Sequence, residues 1–234
     1  MTGSPVAGRA AAGPGHGLAG VADAGAFLAR LVRLDRAALV RLRPAGVPGR
    51  TALWARLPWG ALVVRTVAGA DPGDVTVAAG ELLAELTTDG RALPARRDAQ
   101  WRWPLPPAAS RRVETLPAAE VRRVAEAAAV ALRDASTRGV AGRPVGERAL
   151  RDALLDHVPV VVTPDDPPGE PVEVSQRLVQ GLVRMGFLGA GEAPSGVQVR
   201  AVGRWVGLVG PYGATWLQTA TDLVVRGMTS HPIG

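Results

Sequence analysis

The chain has no cysteine, so disulfides, zinc–thiolate centres, iron–sulfur clusters and thiol nucleophiles are all excluded. Lysine is absent too, and all 27 basic residues are arginine. That removes Schiff-base enzymes, pyridoxal-phosphate attachment and the phosphate-binding lysine of a Walker loop. The three histidines, His16, His157 and His231, are too scattered for the usual metal spacings. Neither HExxH nor GxSxG occurs. Metal-capable side chains gather in Asp152, Asp156, His157, Asp165 and Asp166, with Asp152 and Asp156 one helical turn apart. A hard cation needs more ligands than these supply. No run approaches about 18 apolar residues, so no bilayer-spanning helix is expected. A charged start followed by an apolar secretion signal is also lacking. The expectation from these absences is a cytoplasmic, non-enzymatic protein with no cofactor, no metal and no membrane attachment.

Asparagine is missing as well, and Ile233 is the lone isoleucine. Arginine, alanine, glycine and proline dominate instead, the mark of a GC-biased genome. Part of the arginine content is then mutational pressure, and the net charge of +6 is a fairer guide than the sequence pI of 11.2. What is present suffices for a core: 234 residues with 47% apolar and 21% charged side chains.

The charge is unevenly placed. Residues 1–90 hold nine arginines and seven acids, net +2. Residues 91–143 hold eleven arginines and five acids, net +6, and residues 144–234 hold seven and nine, net −2. A basic middle between near-neutral flanks points to a surface for an anionic partner, or to solvated helix faces and a linker.

Residues 1–20, rich in glycine and alanine with a single charge, read as a disordered tail. Gly15-His16-Gly17-Leu18-Ala19-Gly20 matches GxGxxG in letters, but no strand precedes it as a dinucleotide site requires. Residues 21–90 read as an N-terminal α+β module. Phe27, Leu28, Leu31 and Val32 give residues 23–34 an amphipathic helix. Three alternating runs, 38–43, 51–57 and 61–67, form an antiparallel meander whose wetter face carries Arg41, Arg43, Arg56 and Arg65. Leu82, Leu83 and Leu86 extend a covering helix over 75–86.

Residues 91–116 combine four prolines, six arginines and two tryptophans without periodicity, and read as a linker or surface arm. Here Arg96, Arg97, Arg102, Arg111 and Arg112 can meet phosphates while Trp101 and Trp103 stack on unpaired bases. The alternative is that both tryptophans pack the arm onto a domain. Arg122 and Arg123 on the next helix would extend the surface. Residues 117–234 form the C-terminal module: helices over 117–135, 145–157 and 171–185, a short strand over 158–163, and strands over 197–202, 204–209 and 214–218.

Helix, helix, short strand, helix and β-hairpin, from residue 145 to 218, resembles the order of winged-helix domains. The resemblance implies that residues 172–185 form a recognition helix, with Arg200 and Arg204 in the wing. Glu173, Gln176, Arg177, Gln180 and Arg184 share one face of that helix, and glutamine and arginine suit adenine and guanine edges. The fold class expected is therefore α+β, a helix-plus-meander module followed by a helical module with a winged-helix-like hairpin. The function expected is binding of nucleic acid with little sequence specificity through the Arg/Trp segment. The alternative is a protein-interaction or assembly module, homo-oligomers included, docking through the winged-helix-like part.

Overall fold

Alternation of apolar and polar side chains along short β-branched runs makes strands, and the 3.6-residue spacing of leucines between them makes helices. The computed structural model describes residues 15–70, 72–139, 146–164, 169–189 and 196–219. The chain opens with α1 (Val21–Leu34), which buries Ala24, Phe27, Leu28 and Leu31 at i, i+3, i+4 and i+7. The meander β1 (Leu39–Pro44), β2 (Arg50–Arg56) and β3 (Leu62–Ala68) follows, then β4 (Val75–Ala78) and α2 (Ala79–Thr87). An extended arm leads to β5 (Arg111–Pro117) and α3 (Ala118–Arg138). Next come α4 (Glu147–Asp156), a small hairpin of β6 (Val160–Val162) and β7 (Val172–Val174), and α5 (Gln176–Arg184). A second meander, β8 (Gly196–Val202), β9 (Trp205–Gly210) and β10 (Gly213–Gln218), ends the described chain.

Eight strands form one antiparallel sheet in the order β4-β1-β2-β3-β10-β9-β8-β5. Its two halves use the same parts. In each, a helix (α1 or α5) leads into a meander, and an outer strand–helix pair (β4-α2 or β5-α3) flanks that meander's first strand. The third strands, β3 and β10, pair and fuse the halves. The outer pair follows the meander in the first half and precedes it in the second.

The helices cover one face. Val40, Leu42, Leu53 and Val63 from the first half meet Val197, Val199 and Leu208 from the second, all buried in one continuous core. Phe27 of α1 stacks on Phe187, just past α5, with centroids 6.3 Å apart. Ser175 caps α5, its hydroxyl accepting from the Arg177 N–H at 3.1 Å. Gly181 lets α5 lie close to the sheet, because a Cβ there would come within 2.9 Å of Thr215 Cγ2. No helix among the described residues is long and apolar enough to cross a membrane.

Several elements differ from the expectation. Residues 75–78 are an edge strand paired with β1, not the first turn of a helix. The end of the arm is strand β5, paired with β8 around a bulge at Val113. The helix expected over 171–185 is strand β7 followed by α5, so Glu173 stands in a hairpin opposite Val161. The winged-helix reading gives way here. The supposed wing, β8 and β9, lies inside the large sheet and is continued by β10, so it cannot project as a free hairpin. Gly15–Gly20, assigned to the tail, are packed: His16 is buried, its Nδ1 accepts from the Leu18 N–H, and Gly15 and Leu18 bridge to Ala92 and Gly69. The remainder of that tail lies outside the described residues, as do Asp165 and Asp166.

Candidate nucleic-acid interface

The helix-free face of the sheet is built by the alternate residues of each strand. Cross-strand register aligns Arg112, Arg200, Gly207, Trp216, Leu62 and Arg56 in one row spanning β5, β8, β9, β10, β3 and β2. Arg41 and Arg43 of β1 point to the same side, since Arg41 pairs with Trp54 and Arg43 with Ala52. Gly207 is required within the row: a Cβ there would approach the Trp216 indole to 2.5 Å. Leu62, Trp205, Ala214 and Trp216 form a separate small core on this face.

The arm lies over that core. Trp101, Trp103 and Leu105 pack against it, half-buried, while Arg102 between them is exposed. The two indoles meet edge to face at 5.4 Å, and Trp101 Nε1 donates to the Trp103 carbonyl at 2.7 Å. Arginines of the sheet sit over both rings: the Arg41 guanidinium is 5.8 Å from Trp101 and that of Arg56 is 5.1 Å from Trp103. Such pairs are favourable by about 0.5–1 kcal/mol where exposed. The two tryptophans are thus engaged as anchors of the arm.

The start of the arm binds the β4 edge. The Arg97 N–H donates to the Thr76 carbonyl and the Thr76 N–H to Asp98 Oδ1, both at 2.7 Å. That backbone hydrogen bond, followed by the Arg96 side chain at 2.7 Å, holds the Asp98 carboxyl below its usual range. Asp74 is likewise lowered, first by its hydrogen bond from Arg41 and further by Arg43, whereas Arg41 is raised by the same contact.

The other expected residues are dispersed. Arg97 pairs with Glu81 of α2. Arg111 and Arg112 are exposed on β5. Arg122 donates to the Leu188 and Gly189 carbonyls, tying α3 to the turn after α5, and Arg123 pairs with Glu120. Gln176 is buried, which removes it from any outward stripe. Arg177 bonds Asp156 at 2.7 Å and the Trp59 carbonyl. Arg184 bonds Gln180 at 3.2 Å and lies over Trp59. Helix α5 packs against β10 and β9, and Arg177 reaches the turn at Gly60, where the Arg56 guanidinium also lies. Asp156 is the ion-pair partner of Arg177, and no three His, Asp or Glu side chains among the described residues are grouped to hold a metal. The residues that sequence reasoning left out of the site are Arg41, Arg43, Arg56 and Arg200. Strand alternation placed the first three on one face together with Arg65, but Arg65 pairs with Leu53 on the helix side and bonds Asp23 of α1, and the pairing of Arg200 with Arg112 depends on register.

Arg112 and Arg200 stand directly opposite each other on neighbouring strands. Like charges so placed repel. Arg200 is held by neutral groups, the Ser110 hydroxyl and carbonyl and Gln198 Oε1. Among the described residues no carboxylate lies within ion-pair distance of either arginine. The arrangement suits a bound anion with several oxygens.

Two family models match: Domain of unknown function (DUF8010) over residues 17–103 and Domain of unknown function (DUF8185) over residues 105–222. No curated protein sequence matches the chain. Among solved structures it is similar to the beta subunit from DNA polymerase of Streptococcus pyogenes, with a TM-score of 0.54, 9% identity and 85% of this chain covered. It is also similar to the DNA polymerase III subunit beta from Pseudomonas aeruginosa, with a TM-score of 0.50, 10% identity and 85% covered. The matched region is 62% and 63% of those two chains. The likeness is one of fold.

Proposed function

The chain belongs to the DUF8185 family, and from that premise we propose that it is a non-enzymatic binding protein whose partner is nucleic acid. Binding uses the helix-free face and the arm laid over it. The observation that carries this reading is the Arg112–Arg200 pair, two cations held opposite each other with no carboxylate in ion-pair distance among the described residues. Arg56 lies in the same cross-strand row and Arg102 stands exposed on the arm. Phosphates neutralise such a surface by charge-assisted hydrogen bonds and counterion release, which carry no base identity. Trp101 and Trp103 fix the arm in this reading and do not stack on bases. The fold shared with polymerase beta subunits is compatible with a partner of this kind.

Fluorescence anisotropy with several unrelated single- and double-stranded oligonucleotides tests the proposal. Similar affinities for all sequences at low salt, falling steeply as salt rises, are expected. Absence of binding to every oligonucleotide at low salt would refute it.

A second reading, self-assembly, is favoured by the two sheet edges. The β4 edge is occupied by the arm at Thr76, whereas β5 pairs only with β8 among the described strands. An open edge strand is a template for another strand. Sedimentation of the wild type and of Thr115→Pro checks this reading. A concentration-dependent oligomer lost in the variant supports it, and a monomer at all concentrations excludes it.

A further inference from the structure

His16 is the one buried histidine among the described residues, 4% exposed. Both of its ring nitrogens are engaged. Nδ1 accepts from the Leu18 N–H at 3.0 Å, and Nε2 lies 3.0 Å from the Gly90 carbonyl. A backbone N–H only donates and a carbonyl only accepts. The two contacts together therefore admit a single form of the ring, the neutral tautomer with its proton on Nε2. The ring joins segments distant in sequence. The His16 N–H donates to the Arg91 carbonyl at 3.0 Å, and Gly15 bridges to Ala92. The Gly17 carbonyl accepts from the Ala70 N–H at 2.7 Å, and Leu18 bridges to Gly69. Asp89, at a φ of 53°, turns the chain just past α2, ahead of Gly90. Residues Gly90–Ala92 are the root of the arm, so His16 ties that root to the turn before α1.

The charged groups around the ring are Glu85 of α2, whose carboxylate lies beside Gly90, together with Asp89 and Arg91. The segments 17–21 and 69–70 packed on its other sides bring none. Among the described residues no carboxylate lies within ion-pair distance of His16. A second proton on the ring therefore meets no acceptor in the closed turn. It would come from solvent onto Nδ1 and set one N–H against another. The Leu18 N–H would then be left without its partner inside the fold, which is unfavourable.

We propose that His16 is a pH-sensitive latch on the root of the arm: neutral, it holds the turn Gly15–Leu18 against Gly90–Ala92, and protonation opens it. Histidine is the side chain whose charge changes between about pH 5 and 8. The latch contributes fully while the ring is neutral, and its contribution is lost as pH falls and the ring takes up a proton. The opening is local. Ala19 and Gly20 keep their N–H bonds to the Ala68 carbonyl, and α1 keeps its buried face. The melting temperature should therefore change little over this range.

The test is amide hydrogen exchange of the full chain, followed by NMR between about pH 8 and pH 5 and corrected for the intrinsic pH dependence of exchange. The amides of His16, Leu18 and Ala70 should lose about tenfold or more of their protection on acidification, while Gly20 and strands β1 to β3 keep theirs. His16→Gln carries a donor and an acceptor that do not titrate, and should remove this pH dependence. The double variant His157→Gln/His231→Gln should retain it. That variant leaves His16 as the only histidine, so its ring nitrogens are read directly, with the proton of the neutral form expected on Nε2. Leu18 protection that does not change with pH, or a pH dependence that survives in His16→Gln, would overturn the proposal. So would a neutral ring that carries its proton on Nδ1.

Discussion

The two faces of the sheet are made by the same strands and closed by different means. On one, Leu42, Leu53, Val199 and Leu208 are fully buried beneath helices, and Arg65, paired with Leu53, is tied to Asp23 of α1. On the other, an irregular arm with two tryptophans covers a small core, and arginines surround it. Period-2 alternation writes both faces into each strand: Leu42 lies beside Arg41 and Arg43, and Val199 beside Arg200. The helix face supplies the cohesion of the fold. The arm face keeps its cations near solvent, where they can exchange partners.

The comparison predicts a graded response. Leu53→Ala, on the helix face, should cost about 2–5 kcal/mol because the closed core cannot collapse onto the vacancy. Chemical denaturation with an unchanged m-value measures it. Trp103→Ala, on the arm face, should cost less, about 1–3 kcal/mol, since the indole is only half-buried. It should also expose the arm to protease near Arg102 before the rest of the chain is cut. A larger loss from Trp103→Ala than from Leu53→Ala would reverse the ranking of the faces.

Acid should act first at the arm. Asp74 and Asp98 are both lowered in the folded chain. A depressed carboxyl contributes stability that is complete above its unfolded value of about 4 and is lost as pH falls through the folded value. Melting temperature should therefore drop below about pH 4, and Asp98→Asn should flatten part of that fall. The smallest stability effect belongs to Arg102→Ser, within about 0.5 kcal/mol for an exposed side chain. Its effect should appear in binding alone.

Much of the local structure was legible. Helix α1, strands β1 to β3, α3, α4 and β8 to β10 follow their sequence periods to within a few residues, because each has a face in the core to reveal its period. The misses share a cause. Val75–Ala78 carries strand residues, but the leucines of α2 extend a helical pattern backward over them, and only pairing with β1 settles the matter. Strand β5 lies at the sheet edge and is mostly exposed, so burial imposes no alternation on it. Strand β7 is three residues long, too short to show a period. The winged-helix resemblance had the later helix and strands in the right order but could not show that β10 continues the hairpin and pairs with β3, far away in the chain.

The site was legible to the same limited depth. The concentration of arginine in the middle of the chain was visible, and so were the tryptophans as either anchors or stacking platforms. The packing of Trp101 on Trp103, beneath Arg41 and Arg56, depends on where the arm crosses the sheet, which no local pattern encodes. Arg122, Arg177 and Arg184 looked like free cations in sequence and instead hold carbonyls, a carboxylate and an indole in the fold.

The claim that the arm face binds nucleic acid through phosphates is tested most directly by the salt dependence of affinity. The wild type and the triple variant Arg56→Ser/Arg102→Ser/Arg112→Ser should be titrated with one single-stranded and one double-stranded oligonucleotide across a salt series. Each lost phosphate contact should make the log–log slope shallower by about 0.7–0.9. The triple variant should therefore bind more weakly at low salt and depend less on salt, with its melting temperature little changed. An identical slope and affinity in both proteins would contradict the account.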